Sequence, residues 1–248
     1  MKKFLKVASI ILVIAMVACF AACGAEEEKP TLTMATNAEF PPYEFVEGEK
    51  IVGIDAEIAG LIAEKLGMEL EIVDISFDSI IPGVQAGKYD MGMAGLTVNE
   101  DRLEKVSFST PYATGIQAVI VKEGSDIKTI DDLKGKKIGV QTTTTGDIYA
   151  TGDYGEEAIT RYDNGAVAVQ ALLADKVDCV IIDNEPAKSY VKANEGLKIL
   201  DTEYTVEDYA ICFAKDNTEL KDKVDAALKE LIADGSVKAV VDKYIPAE

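Results

Sequence analysis

Histidine is absent from the 248 residues of the chain. Its absence excludes the Ser-His-Asp and Cys-His arrangements of nucleophilic catalysis, together with most zinc sites. Cysteine is also scarce, with four in the chain and none in a Cys-x-x-Cys pair. Cys179 and Cys212 lie in apolar runs and are predicted to pack as small hydrophobic side chains, with a disulfide between them as the alternative. We expect no catalytic residue, no metal and no cofactor.

Basic side chains are few, 25 against 44 acidic ones, which gives a formal charge of −19. Such a charge repels nucleic acid and anionic membrane surfaces, so we do not expect nucleic acid as a partner. We interpret the acidic excess as a solvated surface. The hydrophobic content of 48% is enough to bury the core of one large domain or of two small ones.

An apolar run at residues 7–22 distinguishes the N-terminus from the rest of the chain. Lys2, Lys3 and Lys6 precede the run, and small residues and three glutamates follow it. This order is typical of a secretory signal. The run is also short for a membrane-spanning helix, which needs roughly 20 apolar residues. We therefore predict a signal peptide over residues 1–22 and an extracytoplasmic location.

The end of this run, Phe-Ala-Ala-Cys at 20–23, resembles a bacterial lipobox, with phenylalanine where leucine is usual. Cys19, which ends an overlapping match, is the alternative lipidated residue. We predict lipidation at Cys23 because a polar stalk, residues 23–30, follows it. Two acyl chains on one cysteine would tether the protein outside the cytoplasmic membrane, since two chains hold more firmly than one.

Hydrophobic patterning divides the remaining chain into two α/β series without a linker rich in Pro, Gly or Ser. The first series has predicted strands at 31–36, 69–74 and 89–94, a helix that begins at Asp55 as N-cap and is ended by Gly67, and a helix at 79–86. The second has predicted strands at 118–121, 137–140, 177–182 and 209–213, and helices at 130–133, from 146, at 167–173, 186–193, 220–232 and 237–244. This order favours α/β lobes, each a mainly parallel sheet flanked by helices. Ligand sites of such folds lie between domains and beyond the carboxyl ends of strands.

Six motifs stand at or near these strand ends: FPPYEF at 40–45, GID at 53–55, AGLT at 94–97 with Arg102, FSTPY at 108–112, GVQ at 139–141 and VDCVIID at 177–183. Together they resemble the polar amino-acid-binding proteins of ABC importers, solute-binding family 3, over residues 30 to 246. The resemblance implies a two-lobed periplasmic-binding-protein-like fold of type II. Lobe 1 would comprise 31–112 and 209–248, and lobe 2 would comprise 113–208.

The resemblance also implies how the head group of an amino acid is held. Arg102 would grip the α-carboxylate, because a guanidinium presents a rigid fork of donors that fits two oxygens at once. Thr97 and the backbone at Gly95 would contact the same end of the ligand. Asp183 would accept hydrogen bonds from the α-ammonium group.

For the ligand side chain the resemblance implies two covering residues, Phe40 and Phe77. Two nearby polar residues are candidates for side-chain specificity. Glu39 would pair with a cationic side chain, and Asn37 would hydrogen-bond an amide. Basic and polar amino acids both remain open, including cystine and glutamine.

Four consecutive threonines, 142–145, follow the strand predicted at 137–140. The family's usual text here is Val-Gln-x-Gly-Thr-Thr-Gly, so Thr144 and Thr145 match its threonines and Thr143 replaces its glycine. Free N–H groups at a helix start favour an anion, and we predict that Thr144 and Thr145 contact the ligand. Thr143 implies either a turn without positive φ or stored strain.

The resemblance thus implies a monomeric, lipid-anchored binding protein that delivers an amino acid to a membrane permease and its ATPase. The alternative is an enzyme on the same fold, since cyclohexadienyl dehydratases resemble these proteins. Two features favour a binding protein over an enzyme. Asp183 occupies the position at which the family holds the ligand's amino group, and a lipid anchor is predicted. The sensor module of a receptor is expected least, because no transmembrane helix or output domain follows residue 248.

Overall fold

The computed structural model describes residues 29–201 and 204–246. The predicted signal peptide and the candidate lipidation residues Cys19 and Cys23 lie outside these ranges. Within them, no helix combines the length and the apolar character needed to cross a membrane.

The strands in chain order are β1 (Thr31–Thr36), β2 (Glu39–Phe40), β3 (Glu44–Glu47), β4 (Lys50–Val52), β5 (Glu69–Asp74), β6 (Met91–Gly92), β7 (Val106–Phe108), β8 (Ala113–Lys122), β9 (Ile138–Gln141), β10 (Ile159–Tyr162), β11 (Cys179–Asp183), β12 (Leu197–Ile199), β13 (Thr205–Tyr209) and β14 (Cys212–Ala214). The α-helices are α1 (Ile54–Leu66), α2 (Phe77–Gln85), α3 (Glu100–Leu103), α4 (Thr145–Tyr154), α5 (Gly165–Leu173), α6 (Asn184–Ala193), α7 (Thr218–Ala233) and α8 (Ser236–Tyr244). Short 3-10 helices lie at Ile130–Leu133 and Glu156–Ala158.

Two sheets define two lobes. In lobe 1, five strands lie in the order β5-β1-β6-β14-β7, and α1, α2, α7 and α8 pack on or beside them. In lobe 2, the order is β10-β9-β11-β8-β12, β13 also pairs with β8, and α4, α5 and α6 cover the sheet. A small sheet, β2-β3-β4, precedes α1. The predicted α/β architecture with two lobes is confirmed.

Both sheets are mixed, which corrects the prediction that each is mainly parallel. β1 runs parallel to β5 and β6, and β9 runs parallel to β10 and β11. β14 and β8 run antiparallel to their neighbours. Each of these two strands begins where the chain arrives from the other lobe. It arrives without the crossover helix that connects parallel neighbours, so it pairs antiparallel.

Helix α1 shows how apolar spacing positions this part of lobe 1. Ile54, Ile58 and Ile62 recur every four residues and are fully buried. Gly67 ends the helix with φ 68, as predicted. The prediction that Asp55 is the N-cap is wrong: Gly53 occupies that position, and Asp55 is the second helical residue. Its carboxylate is buried and turned toward the neighbouring loops instead.

The apolar run at 209–213 is two strands rather than the single predicted one. β13 ends at Tyr209 in the sheet of lobe 2, and β14 begins at Cys212 in the sheet of lobe 1. The second crossing between the lobes therefore lies between these two residues. Cys179 and Cys212 are buried free thiols in different lobes, as the packing prediction required, and burial raises the pKa of both to about 12.

Candidate functional site

Twelve residues from both lobes line one cavity. Its free volume is only about 10 Å³, so side chains nearly fill it. The lining residues are Asn37, Phe40, Glu44, Phe77, Ala94, Gly95, Thr97 and Arg102 from lobe 1 and Gln141, Thr144, Thr145 and Asp183 from lobe 2. All eight predicted ligand contacts, and Asn37, are brought together here. Glu39 is not, because its side chain is exposed.

Arg102 presents a buried guanidinium to the cavity. It lies on α3, where the side chain of Asn99 caps the helix by accepting from the Arg102 amide at 2.9 Å. Its Nη1 donates to the carbonyl oxygen of Thr97 at 2.9 Å, and its Nη2 donates to that of Thr143 at 3.3 Å. The guanidinium lies over the ring of Phe77, 5.5 Å from its centroid. Arg102 is 5% exposed, and no described carboxylate forms an ion pair with it.

Asp183 brings a carboxyl group from lobe 2 to the same cavity. It ends β11 and precedes α6, but its side chain makes no capping hydrogen bond. The hydroxyl of Tyr209 donates to Asp183 Oδ1. Burial, with the negative charge of Glu207 as the next cause, raises the pKa of Asp183 to about 7. A carboxyl with this pKa gains from a cationic partner, because such a partner restores the ionised form.

Two threonines at the start of α4 complete the lobe 2 side. Thr144 is the N-cap: its hydroxyl accepts from the Asp147 amide at 3.3 Å and donates to the Gln141 carbonyl at 2.8 Å. The Thr145 hydroxyl donates to Glu207 Oε2 at 2.9 Å. Both hydroxyls are therefore occupied, and what the turn offers an anion is the helix N-terminus.

Thr143 adopts φ 63, which is the left-handed region. Of the two possibilities raised by the sequence, the structure thus shows the strained one. The conformation has a use: the Thr143 amide donates to Asp147 Oδ2 at 3.0 Å, and its carbonyl accepts from Arg102. The left-handed conformation costs an L-residue about 1–2 kcal/mol, and these two hydrogen bonds offset that cost.

The variant Thr143→Gly is expected to raise the free energy of unfolding by about 1 kcal/mol, because glycine adopts positive φ without steric cost but loses some of that gain in chain entropy. Urea unfolding monitored by circular dichroism measures the change. Thr142→Gly is the matched control. It lies one residue earlier without positive φ and is expected to destabilise the protein. A loss of stability in Thr143→Gly equal to that of the control would contradict this explanation.

Aromatic rings and a glycine form the wall of the cavity on lobe 1. The ring of Phe40 lies 5.8 Å from that of Tyr43, centroid to centroid. Gly95 has φ 54, and a Cβ there would lie 2.9 Å from Phe40 Cε1, so both conformation and space require glycine. The Gly95 amide donates to Asp55 Oδ2 at 3.0 Å, so this amide is already occupied.

Glu44 and Gln141 line the cavity but were not predicted from the sequence. Glu44 is 1% exposed, and neither of its carboxyl oxygens accepts a hydrogen bond from the described residues. Gln141 Nε2 donates to Asn37 Oδ1 at 2.9 Å, which links the lobes. The register that pairs Glu44 with Phe40 across β2 and β3 turns Glu44 inward. Only the FPPYEF motif, in which Glu44 is the fifth residue, signals this in the sequence.

The lobes are closed on each other. Besides Gln141–Asn37 and Arg102–Thr143, the hydroxyls of Thr97 and Thr145 lie 3.5 Å apart. On one rim, the Tyr190 hydroxyl of α6 donates to the Glu39 carbonyl at 2.7 Å. A ligand would reach the cavity through an open form and be enclosed when these contacts form.

Both the sequence and the fold are similar to those of known proteins. The sequence profile of the bacterial extracellular solute-binding proteins, family 3, matches residues 32–247. The arginine-binding extracellular protein ArtP of Bacillus subtilis is 33% identical over 260 residues, covering 100% of both chains. The ABC transporter arginine-binding protein 1 of Escherichia coli K12 is 30% identical, over 94% of this chain and 97% of that protein. Among solved structures, an ancestral arginine-binding protein bound to glutamine superimposes with a TM-score of 0.84 at 39% identity, covering 88% of this chain and 99% of that one.

Proposed function

Because the chain belongs to the bacterial extracellular solute-binding proteins of family 3, we propose that it is the substrate-binding component of an ABC importer. It captures a free amino acid between its lobes and delivers it to a permease and ATPase in the membrane. The observation that carries this proposal is a buried guanidinium that forms no ion pair with any residue the structure describes, facing the same cavity as a buried carboxyl of the other lobe. An α-amino acid carries the complementary carboxylate and ammonium groups on one carbon atom. Relatives named as arginine-binding proteins support it.

Arg102 binds the α-carboxylate in this proposal, and its hydrogen bonds to the Thr97 and Thr143 carbonyls rearrange to admit it. The N-terminus of α4, at Thr144 and Thr145, contributes from lobe 2. Asp183 binds the α-ammonium. Hydrogen bonds to charged groups contribute about 1.5–3 kcal/mol each, and micromolar binding needs about 8 kcal/mol. The two ionic contacts therefore supply about half of it, and enclosure of the side chain supplies the rest.

The side-chain end of the cavity fits a cation. Phe40 and Phe77 offer aromatic faces, which attract cations, and Phe77 already lies under a guanidinium. Glu44 offers two buried carboxyl oxygens without donors among the described residues. Asn37 adds an amide oxygen. We therefore place arginine or another basic amino acid first among the ligands, with Glu44 rather than Glu39 facing its charge.

The protein binds rather than transforms its ligand in this proposal, and it acts as a monomer. A thermal-shift panel of the twenty amino acids with ornithine, citrulline and cystine is the test, because a ligand that binds only the folded state raises the melting temperature. Basic amino acids are expected to give the largest shifts. No shift with any amino acid, or formation of aromatic product from arogenate or prephenate, would overturn the proposal.

We also propose that residues 1–22 are removed and that Cys23 carries the lipid. The basic start, apolar run and lipobox-like end of the sequence support this. The variant Cys23→Ala is expected to shift the protein from the membrane fraction to the culture medium or periplasm, while Cys19→Ala stays membrane-bound. Immunoblots of the fractions measure it. The reverse pattern would assign the lipid to Cys19.

A further inference from the structure

Glu44, which lines the cavity, and Asp55 are two buried carboxyl groups on adjacent segments, since the Asp55 amide donates to the carbonyl oxygen of Tyr43, the neighbour of Glu44, at 2.9 Å. Glu44 begins β3, and Asp55 lies in the first turn of α1 with no exposed surface. Asp55 Oδ2 accepts from the Gly95 amide at 3.0 Å and from the Tyr112 hydroxyl at 2.8 Å. No donor among residues 29–201 and 204–246 reaches Asp55 Oδ1 or either oxygen of Glu44.

Two ionised carboxylates buried near each other are costly, because three of their four oxygens lack donors and the two charges repel each other. One proton shared between the two groups supplies a donor and removes the repulsion between the charges. A protonated Glu44 carries a hydroxyl that can donate to the Asp55 carboxylate, and Asp55 is among the causes that raise the pKa of Glu44. Asp55 is the better acceptor, since two other donors already stabilise its negative charge.

The groups around Glu44 support the same arrangement. The acidic groups around it are Asp55, Asp183 and Asp74, and the phenols of Tyr43, Tyr112 and Tyr190 are neutral. Burial raises the pKa of Glu44 well above its ordinary value, and the charge of Asp55 raises it further.

We propose that the Glu44–Asp55 pair shares one proton in the ligand-free protein and releases it to solvent when a guanidinium enters, so that Glu44 discriminates cationic from neutral side chains in a pH-dependent manner. The proposal rests on the proposed function, because it needs an amino acid in this cavity. The O–H bond of Glu44 breaks, the proton passes to buffer, and the carboxylate pairs with the incoming cation. A neutral side chain leaves the proton in place and accepts a hydrogen bond from Glu44 instead.

Proton release by Asp183 must be distinguished from proton release by the Glu44–Asp55 pair. Asp183, with its pKa near 7, also releases a fraction of a proton when any α-ammonium binds. Every amino acid shares that contribution. Arginine and citrulline carry the same head group and side chains of nearly the same shape, but only arginine is cationic. The difference between these two ligands therefore isolates Glu44.

The test is calorimetric titration of arginine and of citrulline, at pH 7 in buffers of different ionisation enthalpy and then from pH 5.5 to 8.5. Arginine is expected to release about one proton more than citrulline, and its affinity relative to citrulline to rise up to about tenfold per pH unit below the pKa of the pair. Equal proton release with a constant affinity ratio would overturn the proposal while leaving amino-acid binding intact. Absence of arginine binding would overturn the assignment of a basic ligand on which the proposal rests, whereas absence of binding by every amino acid would overturn the proposed function as well.

Two variants keep the test decisive if citrulline does not bind. Glu44→Gln preserves shape but cannot ionise, so proton release on arginine binding is expected to fall to the fraction contributed by Asp183. Asp55→Asn keeps Glu44 but removes the charge that holds its proton, and the release is expected to fall in the same direction. Unchanged release in both folded variants would contradict a shared proton.

Discussion

Arg102→Ala is expected to weaken the binding of every amino acid by about 100-fold or more, because two hydrogen bonds between charged groups are worth roughly 3–6 kcal/mol together. The loss should be the same factor for basic and neutral ligands, since the proposed contact of the guanidinium is with the head group they share. The affinity of Arg102→Lys should lie between that of the wild type and that of Arg102→Ala, because an ammonium keeps the charge but not the planar fork of donors. Titration of each variant with arginine and with a neutral amino acid measures the factors.

Lys105→Ala is the matched control for Arg102. It removes a positive charge three residues further along the chain, at an exposed position outside the ligand cavity. We expect unchanged affinity, since solvent screens exposed charges. Full affinity in a folded Arg102→Ala protein would show that the α-carboxylate is held elsewhere.

Asp183→Asn is expected to lower affinity by about 10-fold to 100-fold at pH 8, because the α-ammonium would lose its proposed ionic partner. The wild-type pKa of about 7 in the ligand-free protein adds a pH signature. Binding an ammonium favours the ionised carboxylate, so affinity rises with pH up to about 7 and levels off above it. That dependence should disappear in the variant when a neutral side chain is titrated. Asp131→Asn, at an exposed position in lobe 2, should leave both affinity and pH profile unchanged.

The same substitution has an opposite consequence for the ligand-free fold. A carboxyl whose pKa is raised by folding binds protons more tightly in the folded state, so it costs stability as pH rises from its unfolded value toward 7. Asp183→Asn should therefore become more stable relative to wild type as pH rises through this window. Melting temperatures measured from pH 4 to 8 without ligand follow the change, and a constant difference would contradict the raised pKa.

The elements predicted most accurately are those in which the spacing of apolar residues matches the spacing of buried positions. The first long helix and its end follow from the spacing of Ile54, Ile58 and Ile62 and from Gly67, although the predicted start at Asp55 lies too late. Strands 31–36 and 69–74 agree residue for residue with β1 and β5. The run at 209–213 was misleading for a physical reason: residues in both strands and in the crossing are buried, so no alternation marks the point where the chain changes lobes.

The strand ends and the family resemblance predict eight of the cavity residues, but they do not identify Glu44, and Glu39 was predicted in its place. β2 and β3 have two and four residues, too short to show a period. Which glutamate turns inward depends on the hairpin register that places Glu44 opposite Phe40. The partnership of Gln141 with Asn37 is likewise a contact between lobes, which no local pattern contains.

Comparison of arginine with agmatine, its decarboxylated analogue, tests the central proposal most directly. Both carry the guanidinium that the side-chain end would hold, but only arginine offers a carboxylate to Arg102. In calorimetric titrations we expect arginine to bind one to one with micromolar or tighter affinity, and agmatine to bind about 100-fold more weakly or not at all. Equal affinities for the two compounds, or no binding of arginine or any other α-amino acid, would contradict capture of an amino acid by its head group between the lobes.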